Sequence, residues 1–359
     1  MMKSQKPLTI VNLAQQLGVS TATVSTVLNN RHAERRISAE TVRRIQEAAR
    51  NTGYLPNLAA RHLGSKRGHN QIIVAIITSF EAPLPLISAA LTAVQKVNQE
   101  TAYKDLSVTT TVDMFHAGRL QELPALLDGS RFNAAVIANT LPEDDHFLAH
   151  HPMSVPVVLI GRDIPNYSSV RDMPEATGAQ AAEILWGTGS RRMVILRPEL
   201  LTQSTQGRVQ GFSRQVQILT GQPPVEIICR GFTAKDACEA MSETLSKSNP
   251  IDSLYSVMDP LAIGAYHAIK EKGLRIPRDI AVIGTGDYPE SPYLDPPLST
   301  FNQSQYNMHE EAMRLLFRQL TGELSRSTQI VIPVIPVLRA STQRRPENHH
   351  KERNIEKAQ

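Results

Sequence analysis

The chain has 359 residues, 41% of them hydrophobic, 20% charged and 5% aromatic, with a formal net charge of +4. That mix is globular and excludes a disordered, fibrous or collagen-like chain; no apolar run approaches the ~18 residues of a membrane span. The first residues, Met1-Met2-Lys3-Ser4-Gln5-Lys6-Pro7, lack the apolar stretch of a signal peptide, which points to the cytoplasm.

The charge is uneven. Residues 1–69 hold eleven Lys/Arg against three acids, a net of +8, which leaves −4 for the other 290 residues. A basic end on a mildly acidic body points to a polyanion-binding module joined to something else. Ile10, Leu13, Ala14 and Leu17 fall at i, i+3, i+4 and i+7, the apolar stripe of a short helix, with Thr9 placed to cap it. Gly18 follows where a helix end needs a left-handed residue, and Val19 is an apolar plug for the turn. Ser20 caps a second helix with Val24, Val27 and Leu28 inward; a third starts at the cap Ser38 and runs through Val42, Ile45, Ala48 and Ala49. Two short helices across a tight glycine turn are a helix-turn-helix. The outward face of the second helix carries Thr21, Ala22, Ser25, Thr26 and Asn29, with Thr23 beside them, all suited to base edges in a major groove.

From residue 70 the texture changes. Ile72–Ile77 reads as a strand buried on both faces, and Ala134–Ala138, Val157–Ile160, Met193–Leu196, Val225–Ile228 and Ile280–Ile283 repeat that texture; Ser107–Val112 is β-rich. Helices are expected at 86–100, 176–186, 209–219, 234–246 and 262–272. The alternation implies parallel sheets with helices on both faces, and about twelve elements call for two similar Rossmann-like subdomains with a ligand cleft between them. No period-locked repeat is present. Cys229 and Cys238, at C-x8-C spacing, fit no zinc or redox motif and read as two buried free thiols; no metal or cofactor is expected. His150-His151 and His349-His350 are adjacent pairs in loop-like or tail sequence rather than i,i+4 ligand spacings. Gly284-Thr285-Gly286 after a strand hints at a dinucleotide loop, but Pro289 stands where its third glycine belongs, and no G-x-S-x-G or H-E-x-x-H occurs, so no enzyme is expected.

The segments Thr9–Ala14, Leu17-Gly-Val-Ser20, Thr23-Val-Ser25, Val27-Leu-Asn29, Ile37-Ser38 and Gly53-Tyr-Leu-Pro56-Asn57 resemble the headpiece of the lactose-repressor (LacI/GalR) family of bacterial transcription regulators. Downstream, Arg208-Val-Gln-Gly-Phe212, Asp259-Pro-Leu-Ala-Ile-Gly264 and Gly273-Leu-Arg-Ile-Pro277-Arg-Asp279 resemble motifs of the same family's core, which is similar to periplasmic sugar-binding proteins. The resemblance implies a small all-α headpiece at 1–56, a hinge helix or linker at 57–70, an α/β effector-binding and dimerisation core at 71–342 and a disordered tail at 343–359. It implies that the hinge orders on operator DNA, with Asn57 and Ala60 against the groove and Leu63 as the minor-groove wedge; the alternative is an ordinary linker whose leucine packs on the core. Phosphate contacts from the basic headpiece and hinge would supply affinity, because charge neutralisation drives such binding.

The effector-contacting arginine of the family falls on Arg208. Phe232 falls on an aromatic that stacks on the effector, or else belongs to the core. Ser79 and Phe80 line the expected cleft mouth, with Arg162, Asp259 and Asp287 completing the candidate set. Four positions depart from the pattern. Thr26 replaces an arginine late in the recognition helix and cannot make the bidentate guanine contact. Met258, Gly286 and Gly161 stand where the family has an amide and two acids. An anionic, a more apolar or no effector is therefore expected, rather than an ordinary monosaccharide. The expected function is a sequence-specific DNA-binding regulator, a repressor under a small-molecule effector, working as a homodimer on pseudo-palindromic operator DNA and without a membrane partner. The alternatives are an effector-independent regulator and a plain solute-binding protein. The tail, with Ile355 its only large apolar residue, cannot form a tetramerising coiled-coil seam.

Overall fold

The computed structural model describes residues 10–28, 32, 35, 37–52, 72–123, 126, 131–153, 155–247, 250–302, 305–324 and 327–344. Thr9, Asn29, the expected hinge with Asn57, Ala60 and Leu63, and the tail from residue 345 lie outside the described residues.

The N-terminal helices are α1 (Ile10–Leu17), α2 (Thr21–Leu28) and α3 (Ala39–Thr52). Leu13, Ala14, Val24, Val27, Ile45 and Ala49 are buried together, with Val19, Leu28 and Val42 packed against them. This is the stripe pattern of the sequence folded into one small core. Gly18 ends α1 at φ +66, a conformation that costs glycine nothing. Val19 N then donates to Ala14 O at 3.1 Å, and the Arg44 guanidinium donates to Leu17 O at 3.1 Å, so two orphan carbonyls of α1 are satisfied.

The core runs β1 (Ile72–Ser79), α4 (Leu84–Asn98), β2 (Val108–Phe115), β3 (Ala134–Ala138), α5 (Pro142–His150), β4 (Val157–Ile160), β5 (Ser168–Arg171) and α6 (Pro174–Gly187). It continues through β6 (Met193–Pro198), α7 (Gln203–Thr220), β7 (Val225–Cys229), α8 (Ala234–Ser246), β8 (Ser253–Ser256), α9 (Asp259–Glu271) and β9 (Ala281–Ile283). It closes with β10 (Thr300–Asn302), α10 (Gln305–Leu320), β11 (Gln329–Val331) and β12 (Ile335–Val337). The chain divides into two units. The first takes residues up to 173 with 201–204 and 304–333; the second takes 174–200, 205–303 and 334 onward.

In the first unit the strands lie in the order β2-β1-β3-β4-β5-β11, every pair parallel. The unbroken apolar run of β1 splits between two cores. Ile72, Val74 and Ile76 join Val94, Met308 and Leu316 on one face; Ala75 and Ile77 join Phe115 and Leu159 on the other. Alternating side chains of a strand covered on both faces require such a run. In the second unit the order is β7-β6-β8-β9, again all parallel, with β10 and β12 as a separate antiparallel pair. The two sheets thus share one strand order, second-first-third-fourth, although the sequence shows no repeat.

Some expectations need correction. α5, β5, β8 and α10 were not anticipated. His150 closes α5 rather than sitting in a loop. Cys229 is buried as expected, but Cys238 is only half-buried. Arg344, assigned to the tail, is held by the second unit: its guanidinium donates to Pro277 O at 2.9 Å and also to Asp252 O. Among the described residues no helix is long and apolar enough to cross a membrane.

Candidate functional site

The first site is α2. Ser20 caps it: its Oγ accepts from Thr23 N at 3.0 Å and lies 2.8 Å from Thr23 Oγ1. Those two side chains serve the helix end, so Ser20 and Thr23 are positioning groups. Thr21 and Ala22 are exposed, and Ser25 and Thr26 are half-buried. The face left for a ligand is short, polar and uncharged at the helix N-terminus, where backbone N–H groups also favour a phosphate.

The second set of residues lies at the C-terminal strand ends, where ligands of open parallel sheets bind. In the first unit, Ser79 ends β1 with its side chain buried, while Phe80 is 56% exposed with its ring 4.9 Å from that of His116. Arg162, two residues past β4, is 3% exposed. Its Nε donates to Ile160 O at 2.9 Å and an Nη donates to Thr140 Oγ1, which in turn donates to Asp145. Asp145 itself is 3.8 Å away. Burial lowers the guanidinium's pKa and raises that of the Asp145 carboxyl, each opposed by the other's charge. Arg162 is therefore paired with an acid, which comes from the unanticipated α5.

In the second unit, Arg208 on α7 is buried, and its Nη1 donates to Val257 O at 2.9 Å, at the end of β8. Phe232 is half-buried just before the capping box of α8, in which Thr233 Oγ1 accepts from Asp236 N at 3.2 Å and Thr233 N donates to Asp236 at 3.0 Å. It is not among the buried core side chains. Asp259 is fully buried at the first turn of α9. Its carboxylate accepts from Ser291 Oγ (2.7 Å), Thr300 Oγ1 (2.8 Å) and Tyr288 N (3.1 Å). Burial raises its pKa, against those hydrogen bonds. Its partners are thus groups of the protein, and it braces the segment 284–300. Asp287 accepts from Arg339 at 2.8 Å and Asn302 at 3.2 Å.

Sequence reasoning missed Tyr288. Gly286 has φ +133, and a Cβ there would lie 2.5 Å from Tyr288 Cε2. The position expected to hold an acid is thus covered by an aromatic ring. Arg208 is close enough for its charge to lower the Tyr288 hydroxyl's pKa against the dominant effect of burial. Thr140, Asp145 and Ser291 were missed as well, since they lie in no recognisable motif; Arg339 stands in a segment, Arg339-Ala-Ser-Thr342, that resembles the family, but its pairing with Asp287 was not foreseen.

The pattern "Bacterial regulatory proteins, lacI family" matches residues 9–57, and "Periplasmic binding protein-like domain" matches residues 182–342. Similar proteins include the HTH-type transcriptional repressor PurR of Mannheimia succiniciproducens, 27% identical over 94% of this chain and 99% of that one. Another is the HTH-type transcriptional repressor CytR of Escherichia coli, 26% identical over 96% and 99%. Among solved structures, the fold is similar to a complex of the transcriptional regulator CelR with cellobiose, with TM-score 0.65 and 23% identity over 93% of this chain and 99% of that one. It is also similar to the lac repressor dimer bound to operator and the anti-inducer ONPF, with TM-score 0.65 and 22% identity over 94% and 100%.

Proposed function

We propose, from the match of residues 9–57 to the lacI family of bacterial regulatory proteins and the likeness to the repressor PurR over 94% of the chain, that this protein is a DNA-binding transcription regulator, a homodimeric repressor whose hold on operator DNA is set by a small molecule taken up by core residues. The observation that carries the reading is α2, a capped helix with its apolar side in the headpiece core and Thr21 and Ala22 facing solvent. One such helix reads a half-site; a two-fold operator needs two, so the working unit is a dimer. The role is one of binding rather than catalysis.

The effector residues we favour are those of the second unit, Arg208 and Phe232, with Tyr288 added. A guanidinium beside an aromatic ring suits a ligand with a flat apolar face and an anionic or carbonyl oxygen. A plain sugar would need acceptors for its hydroxyl protons. Asp259, Asp287 and Asp145 are already engaged by Ser291, Arg339 and Arg162 respectively, or by those groups' neighbours.

The test is operator binding by the full-length protein in a gel shift, titrated with hexoses, pentoses, and anionic and aromatic metabolites, with calorimetry alongside. The expected result is no response to plain sugars, and a response to an anionic ligand that Arg208→Ala weakens roughly tenfold or more. Tight binding of a hexose or pentose overturns the effector class. Operator binding that no small molecule alters would favour an effector-independent regulator.

A further inference from the structure

Within the second unit α8 and α9 pack side by side at unusually close range. At Gly264 of α9 a Cβ would lie 1.9 Å from Ala234 O and 2.8 Å from Cys238 N. Backbone therefore meets backbone, and the crossing is fixed by the lack of a side chain. His267 and Glu271 follow at i+3 and i+7 from Gly264, on the same stripe of α9. Cys238 lies on α8 at that crossing. The Cys238 sulfur, a His267 ring nitrogen and a Glu271 carboxylate oxygen all lie within 4.8 Å of one another. His267 Nε2 and Glu271 Oε1 are 3.2 Å apart.

We propose that Cys238, His267 and Glu271 form a binding site for one divalent cation of borderline softness, Zn²⁺ first among them. A thiolate with an imidazole selects against Mg²⁺ and Ca²⁺, which take oxygen. In a tetrahedral zinc site neighbouring ligand atoms are about 3.5 Å apart. The His–Glu pair already meets that spacing, and a side-chain rotation closes the rest, because two packed helices hold the three Cα positions. With three protein ligands, water takes the fourth position. The site joins two helices, so the cation acts as a staple between α8 and α9. No sequence spacing announces it, since the thiol and the histidine belong to different helices. Cys229 is no substitute: it is buried, and burial pushes its thiol up to about 12, so it keeps its proton.

The full-length protein is stripped with chelator and titrated with Co²⁺, then with Zn²⁺. The expected result is one Co²⁺ per protomer with a thiolate-to-cobalt charge-transfer band that Zn²⁺ displaces. Cys238→Ser abolishes the band and weakens Zn²⁺ binding roughly tenfold or more. His267→Gln, a change at a side chain 67% exposed and therefore safe for folding, weakens binding by a similar factor. Cys229→Ser leaves the band intact. Cobalt bound at His150-His151 or His349-His350 gives no sulfur band and cannot imitate the signal. Absence of the band in the wild-type protein overturns the proposal, as does a band that survives Cys238→Ser.

Discussion

Gly286 is where the family pattern places an acid, and where this chain cannot accept one. Its φ of +133 already disfavours any side chain, and the Tyr288 ring occupies the space. Gly286→Asp is expected to lower stability by about 2 kcal/mol or more, read from the denaturant midpoint, and to confer no sugar binding. A stable variant that binds a hexose would contradict this account of the site. A second residue shows what a motif match conceals. Asp279 stood in the sequence only as part of a resemblance. In the structure its carboxylate accepts from the Arg275 amide at 2.7 Å, closing the turn before β9. That backbone bond and the Arg275 side chain hold its carboxyl below the usual range. A depressed folded pKa gives stability that is present above the ordinary carboxylate value and lost as pH falls through the folded one. Asp279→Asn should therefore cost about 1 kcal/mol at neutral pH, and the difference from wild type should vanish in acid. Urea melts at steps from pH 7 down to about pH 2 would show the difference shrinking towards the acid end; a cost that stays constant throughout would refute it.

At the scale of elements, legibility followed locality. The headpiece was readable because its signals lie within a turn of their effect: Ser20 caps α2, Gly18 ends α1, and the stripe of α1 is its buried face. β8, Ser-Leu-Tyr-Ser, was not readable. It is wholly buried, yet its serines give no strand signal, because their hydroxyls find partners at Asp252 and Met258 O. Likewise the partner of Arg162 was not legible, because the sequence offered no sign that α5 would bring Asp145 to it. The same contrast predicts how α2 responds to change. Ser20→Ala should cost the headpiece about 1 kcal/mol and weaken operator binding modestly. Thr26→Ala should leave site choice nearly unaltered in a randomised-operator selection. A guanine preference lost with Thr26 would show direct readout where none is expected.

The whole molecule joins a basic end of +8 to a body of −4, and the fold gives each part its own construction. The basic end is the three-helix unit and the segment beyond it, while the recognition face of α2 carries no charge. On the proposed reading, charge supplies affinity to DNA in general, and selection of a site comes from short polar contacts and DNA shape. The body was legible as two subdomains from its strand and helix count. Their common strand order was not, because topology leaves no mark on a sequence without repeats. Light scattering of the full-length protein is expected to give a dimer, since a two-fold operator needs two headpieces; a stable tetramer would contradict that. The central claim is met most directly by selecting duplexes from a randomised pool with the full-length protein and measuring binding of the winners by fluorescence anisotropy against unrelated DNA. The account predicts pseudo-palindromic winners bound by two protomers, with affinity falling steeply as salt rises. Equal affinity for selected and unrelated duplexes would contradict it.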